Sequence, residues 1–294
     1  MNDATVPFPA RLRRDAEALA TGLPALLADA EHLAATLILG EHGRRRAGTG
    51  DEFWQYRPAM PGDPARSIDW RRSARSDAHF IREKEWQAAQ TVSLWVDDSR
   101  SMAFSGDAQR PDKGARARRL GLALALLLLR GGERVGLLPN VPARAGQAQA
   151  MPLAAALIAE GADEYGVPGT DMLPPQSRAV FLSDFLGDPA PVRGALAAAA
   201  DRGVRGVLVQ VLDPVEEAFP YEGRTIFESM TGRLRHETLR AGDLRRAYLA
   251  RLAERRAELA DLAQAVGWRF STHHTGEPAQ AALLWLYRAL ERGR

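Results

Sequence analysis

The chain has 294 residues, 46% of them apolar and 26% charged, and its 39 basic and 37 acidic side chains leave a net charge of +2. That is the make-up of a globular protein with room for one large domain, or for one domain and a smaller appendage. So small a net charge argues for neither nucleic acid nor a membrane surface as partner, and the absence of cysteine excludes disulfides, thiolate zinc sites and thiol nucleophiles.

Basic charge is carried by arginine, apart from Lys84 and Lys113. Neither lysine follows Gly-x-x-x-x-Gly and precedes Ser or Thr, so the chain has no phosphate-binding P-loop. The N-terminal MNDATVPFPARLRRD lacks the apolar core of a signal peptide. The longest apolar run, Leu120–Leu129, is about half the length a membrane span needs. These features lead us to expect a soluble, cytoplasmic protein.

Residues 9–39 have helical spacing broken at Thr21-Gly22-Leu23-Pro24, which predicts two short helices, the second starting near Pro24. Glu41–Gly50 is predicted to be a Gly/Arg loop. Residues 53–86 interleave Phe53, Trp54, Tyr56, Trp70, Phe80 and Trp86 with Arg57, Arg66, Arg71, Arg72, Arg75 and Arg82. That mixture can stack on single-stranded nucleic acid. Nearby acids balance the charge, however, and arginine stacked on an aromatic ring and paired with aspartate is also a way to pin an irregular segment. A turn at Pro61-Gly62-Asp63-Pro64 and a strand at His79–Glu85 follow from local composition.

Beyond residue 90 the pattern alternates. Strands are predicted at Val92–Val96, Arg134–Leu138, Ala179–Leu182, Gly206–Leu212 and Arg269–Thr272. Helices are predicted at Arg116–Arg130, Leu153–Glu160, Pro191–Asp201 and Gln280–Leu290, with loops at Pro139–Met151 and Gly161–Pro175. A strand pair is expected around Thr231-Gly232 within Arg224–Thr238. Asp243 is expected to cap a long helix whose apolar face carries Leu244, Tyr248, Leu252, Leu259, Leu262 and Val266, and which stops at Gly267. Short apolar strands alternating with helices imply an α/β fold, a doubly wound, mostly parallel sheet covered on both faces.

Ligands of such sheets sit beyond the carboxyl ends of the strands. Asp97 and Asp184 stand at two such ends, and Gly169-Thr170-Asp171 precedes the Ala179 strand closely enough to be expected at the same edge. Asp97, Ser99 and Ser101 form D-x-S-x-S, an oxygen-only set suited to a hard cation. An ordinary Asp/Ser turn closing a strand is the equal alternative.

Taken together, D-x-S-x-S at a strand end, Thr170 in a Gly-rich loop and Asp184 closing the next core strand resemble the metal-ion-dependent adhesion site of the von Willebrand factor A fold. The likeness covers residues 91–294. It implies that Ser99, Ser101 and Thr170 bind a divalent cation directly, with Asp171 as the alternative to Thr170. Asp97 and Asp184 would act mostly through water. Mg²⁺ is the expected ion, with Mn²⁺ or Ca²⁺ also suited. Gly62-Asp63-x-x-Arg66-x-Ile68-Asp69-Trp70, followed by Ser73-Ala74-Arg75, is similar to the signature of the bacterial domain-of-unknown-function family fifty-eight. So is Asp213-Pro214 with Glu216. Members are commonly encoded beside a MoxR-type AAA+ ATPase. Many carry N-terminal membrane helices, which are not evident in this sequence, so no membrane role is carried over.

The domain layout expected is therefore a helical segment at 1–50, the arginine/aromatic signature segment packed on the sheet domain at 51–90, and the von Willebrand factor A-like domain at 91–294. The function implied is a non-catalytic, metal-dependent protein-protein interaction module. Its open metal position would take an acidic side chain of a partner, a MoxR-type ATPase, during assembly or maturation of protein complexes. Two rival readings are a Mg²⁺-dependent phosphohydrolase and a single-strand nucleic-acid binder acting through 53–86. A dehalogenase-type phosphohydrolase needs a second Asp two residues after the first, where this chain has Ser99. Neither an H-e-x-x-H nor a G-x-S-x-G motif is present, and His273-His274 is assigned no role.

Overall fold

The structure, a computed structural model, describes residues 26–36, 47–60, 63–74, 78–85, 89–159 and 161–291. The first expected N-terminal helix, Pro24, Gly62, Arg75 and Trp86 lie outside them. Two compact units are present: Gly40–Ala89, and Met1–Leu39 together with Gln90–Arg294.

The second expected N-terminal helix is observed as α1 (26–35). Its Ala30, Leu33 and Ala34 join the core of the sheet unit, as their i, i+3, i+4 spacing requires.

The Gly40–Ala89 unit is built on β1 (Ala47–Pro58) and β2 (Phe80–Glu85), paired antiparallel with Tyr56 opposite Arg82 and Pro58 opposite Phe80. Residues 47–50, expected as loop, belong to β1, because cross-strand pairing outweighs the low strand propensity of Gly. Between the strands lie a 3-10 turn at Ala65–Ser67 and the one-turn helix α2 (Trp70–Ser73). Asp69 caps α2 by accepting from the Arg72 N–H at 3.0 Å, and the Tyr56 hydroxyl donates to its other oxygen at 3.2 Å. The Arg72 guanidinium lies 4.3 Å from the centre of the Tyr56 ring. These aromatic, arginine and aspartate side chains therefore pin one another within the unit.

In the larger unit, β3 (Thr91–Val96) leads through α3 (Lys113–Arg130) to β4 (Arg134–Leu137), which turns back as β5 (Val141–Arg144). Next come α4 (Ala150–Leu157), β6 (Arg178–Ser183), α5 (Pro189–Asp201), β7 (Arg205–Leu212), the short α6 (Pro214–Ala218) and the hairpin of β8 (Thr225–Glu228) and β9 (Arg235–Thr238). The chain ends with α7 (Ala241–Ala265), β10 (Arg269–His274) and α8 (Ala279–Glu291). The six-stranded sheet has the order β10-β7-β6-β3-β4-β5, parallel except for β5.

Alternate residues of the central strands enter two cores. Leu94, Val96, Val180 and Leu182 face α1, α3, α4 and α8, whereas Trp95, Phe181 and Leu208 face α5 and α7. The expected doubly wound α/β sheet is thus observed.

Two local expectations are corrected. Pro139–Met151 contains β5, which Gly136 admits: a Cβ there would stand 2.8 Å from the Val141 carbonyl oxygen. The Gln149 amide clips this edge by donating to the Val135 and Pro142 carbonyls at 3.0 and 2.8 Å. Asp243 does not cap α7; the helix begins at Ala241, leaving Asp243 in its first turn, where a carboxylate still favours the helix dipole.

Candidate functional site

The strand order reverses at β3. The chain leaves it for β4 on one side and returns to β6 on the other, so the switch point lies between β3 and β6. Asp97 and Asp184 follow these two strands directly, and the Asp97 N–H donates to the Leu182 carbonyl at 2.9 Å.

Asp97 is buried, and both of its carboxylate oxygens accept hydrogen bonds: Oδ1 from the Ser99 N–H at 2.9 Å, Oδ2 from the Ser183 hydroxyl at 2.5 Å. The first of these folds the turn that brings Ser99 and Ser101 together. Their hydroxyl oxygens, both buried, stand 3.2 Å apart. Burial pushes the Asp97 carboxyl above the usual carboxylate range; the Ser183 and Ser99 hydrogen bonds oppose this and the Asp184 charge adds to it.

The segment 161–166 closes over this turn. Arg100 and Ser101 donate their N–H groups to the Asp163 and Glu164 carbonyls at 2.8 and 2.9 Å. Gly166 backs onto Asp97 so closely that a Cβ would stand 2.2 Å from Oδ1. Glu164 also accepts from the Thr231 hydroxyl, which ties the segment to the residues between β8 and β9.

Thr170 is placed elsewhere. Its carbonyl, with those of Asp171 and Leu173, accepts from the Arg202 guanidinium at 2.9, 3.3 and 3.2 Å. Arg202 ends α5, just before the amino end of β7. The expected grouping of Thr170 with Asp97 is therefore replaced by Gly166, because the loop meets the D-x-S-x-S turn several residues earlier than its Gly-Thr-Asp sequence suggested.

Asp184 is engaged by Lys113, which no sequence motif marks as a site residue. The Lys113 ammonium donates to Asp184 Oδ2 at 2.8 Å and to Glu216 Oε1 at 2.7 Å, and Lys113 and Asp184 are each 1% exposed. Burial alone would lower the Lys113 pKa, but the two carboxylates outweigh it and hold the ammonium above its usual range. Asp184 Oδ1 takes the Leu186 N–H at 3.0 Å. Glu216 is fixed by a capping box: Asp213 accepts from Val215 N–H, and Glu216 Oε2 accepts from the Asp213 N–H. The sequence signals were that Lys113 is one of two lysines in an arginine-rich chain, and that Glu216 lies in the D-P-x-E stretch.

Of the signature residues, Asp63 accepts from the Met60 N–H at 2.7 Å, Asp69 caps α2, Trp70 is 58% exposed, and Arg66 lies in the 3-10 turn. They belong to the other unit.

The donor set around Ser99 and Ser101 is hydroxyl-rich and oxygen-only. Among the described residues no group of three or more His, Asp or Glu side chains could hold a metal. Oxygen donors of this kind would suit a hard divalent cation and not a transition-metal cage. Next to this site, Tyr165, Leu186, Tyr248 and Leu252 line a groove of about 550 Å³.

An open, mostly parallel sheet with an oxygen-rich turn at its switch point defines a class of α/β proteins. Residues 55–258 match the family described as Protein of unknown function DUF58, and the chain belongs to that family. It is 28% identical over 277 residues to Uncharacterized protein Rv1480 of Mycobacterium tuberculosis and to Uncharacterized protein Mb1516 of Mycobacterium bovis, covering 84% of this chain and 86% of each relative. Among solved structures it is similar to the conserved hypothetical protein BatB from Bacteroides thetaiotaomicron, at 15% identity and a TM-score of 0.38 over 68% of this chain and 95% of that one. An aerotolerance-related membrane protein from Bacteroides fragilis matches at 16% identity and the same TM-score, over 68% and 96%. Among the described residues no helix is long and apolar enough to cross a membrane.

Proposed function

We propose that the chain is a non-catalytic, divalent-cation-dependent protein interaction module with a von Willebrand factor A-like adhesion site. Its partner is a MoxR-type AAA+ ATPase, with which it serves the assembly or maturation of protein complexes. The observation that carries this reading is the buried Ser99–Ser101 hydroxyl pair beside Asp97 at the switch point. These residues would hold the ion, Asp97 through water, and Asp184 would supply the second carboxylate. Mg²⁺ suits such a set best, and when bound it would offer an open position to a carboxylate of the partner.

The neighbouring groove, whose apolar lining is joined by Arg251, Glu254, Arg255 and Glu258, gives a partner a second foothold of mixed apolar and charged character. The family membership supports the choice of ATPase, since that is the partner its resemblance brings with it. A phosphohydrolase is less well supported, because a nucleophilic Asp97 would need an exposed oxygen. Here the carboxylate is 1% exposed and both oxygens already accept hydrogen bonds. Nucleic-acid binding through 53–86 is disfavoured by the mutual packing of Tyr56, Arg72 and Asp69.

The test is capture of a MoxR-type ATPase from the same organism, in Mg²⁺ and after EDTA, by the wild type, Ser99→Ala and Asp97→Ala. Capture in Mg²⁺ should be lost with EDTA and in both variants. Capture indifferent to all three changes would remove the adhesion-site mechanism. Turnover of a generic phosphate ester, abolished by Asp97→Ala, would favour the hydrolase.

A further inference from the structure

The site contains a resident cation of its own. The Lys113 ammonium is buried, and it bridges the two carboxylates that reach the carboxyl edge from β6 and α6, Asp184 and Glu216. It is fixed in place by more than those two contacts. Lys113 is the first residue of α3, whose N-terminus is capped by Asp112 Oδ1 accepting from the Ala115 N–H, and its own N–H donates to the Phe104 carbonyl at 3.2 Å. Its ammonium also lies 5.7 Å from the centre of the Phe104 ring. Glu216 is held to its post by the capping box of α6.

Asp184 therefore has each oxygen engaged once, by Lys113 and by the Leu186 N–H, so a divalent ion or its water must share a carboxylate whose charge the ammonium already offsets. An ion at the hydroxyl pair would also share this buried edge with the Lys113 charge, in a setting where like charges are poorly screened.

We infer that Lys113 acts as a built-in competitor of the divalent ion for Asp184, so that the protein by itself binds the ion weakly. Lys113 is thus a positioning residue for Asp184, and Glu216 is the counterweight. When Glu216 holds the ammonium, Asp184 is partly released to the ion; when Glu216 cannot, the ammonium rests wholly on Asp184. A partner's carboxylate adds the charge that the competitor withholds, which makes ion and partner bind together better than either does separately. This inference rests on the cation-site reading above.

The measurement is Mn²⁺ uptake by the full chain, followed by electron paramagnetic resonance, with folding of each variant checked by circular dichroism. Lys113→Met should bind Mn²⁺ at least tenfold more tightly than the wild type, and Lys113→Arg, which keeps the charge, should stay weak. Glu216→Gln should bind several-fold more weakly than the wild type. A structural role for the bridge would loosen binding in all three variants alike. If Lys113→Met does not fold, Lys113→Gln, which also removes the charge, takes its place, and binding in it no tighter than in the wild type overturns the inference. Equal uptake by the wild type and the variants overturns this inference alone. No uptake by any of them, the wild type included, overturns the cation site as well.

Discussion

Glu133 and His273 are buried groups whose titration shapes stability in opposite directions. Glu133 follows α3 and accepts from the Gln90 N–H; burial pushes its carboxyl up to about 7, with that hydrogen bond opposing. A folded-state pKa raised above the unfolded value stabilises fully below about 4.5, and the contribution is lost as pH rises through about 7. His273 behaves the other way. Burial first, and then the Arg116 charge, lower it to about 4, and its Nε2 lies 3.1 Å from the Arg116 guanidinium. Its contribution is present above the usual 6.5 and is lost as pH falls through about 4. At ~1.4 kcal/mol per pKa unit, the two shifts nearly cancel between pH 5 and 6.5, so stability should be flat there and fall on either side. Glu133→Gln should remove the loss on the alkaline side, gaining on the order of 3 kcal/mol over the wild type on going from pH 4.5 to above 7. Urea unfolding at acidic and alkaline pH measures this, and an unchanged alkaline decline in the variant would refute it. Nothing local marks Glu133 or His273 for this behaviour; the burial of both, and the Arg116 charge beside His273, come from chain distant in sequence.

Among the elements, α3 has the most consequence for the site, because its first residue is Lys113 and its body is core. The run Leu120–Leu129 was readable as a buried helix from apolar residues on every face, and each of its residues is buried. The helix begins at Lys113, three residues before the Arg116 that its apolar period predicts, since a Lys-Gly-Ala-Arg stretch carries no such period. What extends it is the cap from Asp112, a side chain whose role depends on backbone geometry. Asp112→Ala should destabilise the protein by ~1 kcal/mol, with the span ~0.5–2 kcal/mol usual for lost caps. It should also loosen the Lys113 bridge. Thermal unfolding gives the first effect, and weaker protection of the amides of the first turn in hydrogen exchange gives the second. Full protection there would show that the bridge, and not the cap, holds the helix start.

At the scale of the whole molecule, an ion bound only by the native state must stabilise it by mass action. At ten times the dissociation constant that amounts to about 1.4 kcal/mol, a rise in Tm of roughly 2 °C for a chain of this length. Mg²⁺ should produce this rise, EDTA should reverse it, and Ser99→Ala should be insensitive to both. An equal response in Ser99→Ala would place the ion elsewhere. The sequence by itself determined the alternation of strands and helices, the burial of α3, and the turn of Asp97, Ser99 and Ser101. These follow from periodicity and from hydrogen bonds between residues two apart, which act through contiguous chain. The tertiary structure decided the rest. Strand order set which ends adjoin, which brought Lys113 to Asp184 across 71 residues and to Glu216 across 103. The path of the 161–177 loop put Gly166, and not Thr170, against Asp97. Both outcomes depend on how crossovers pack on the sheet, and no local pattern of residues encodes that packing.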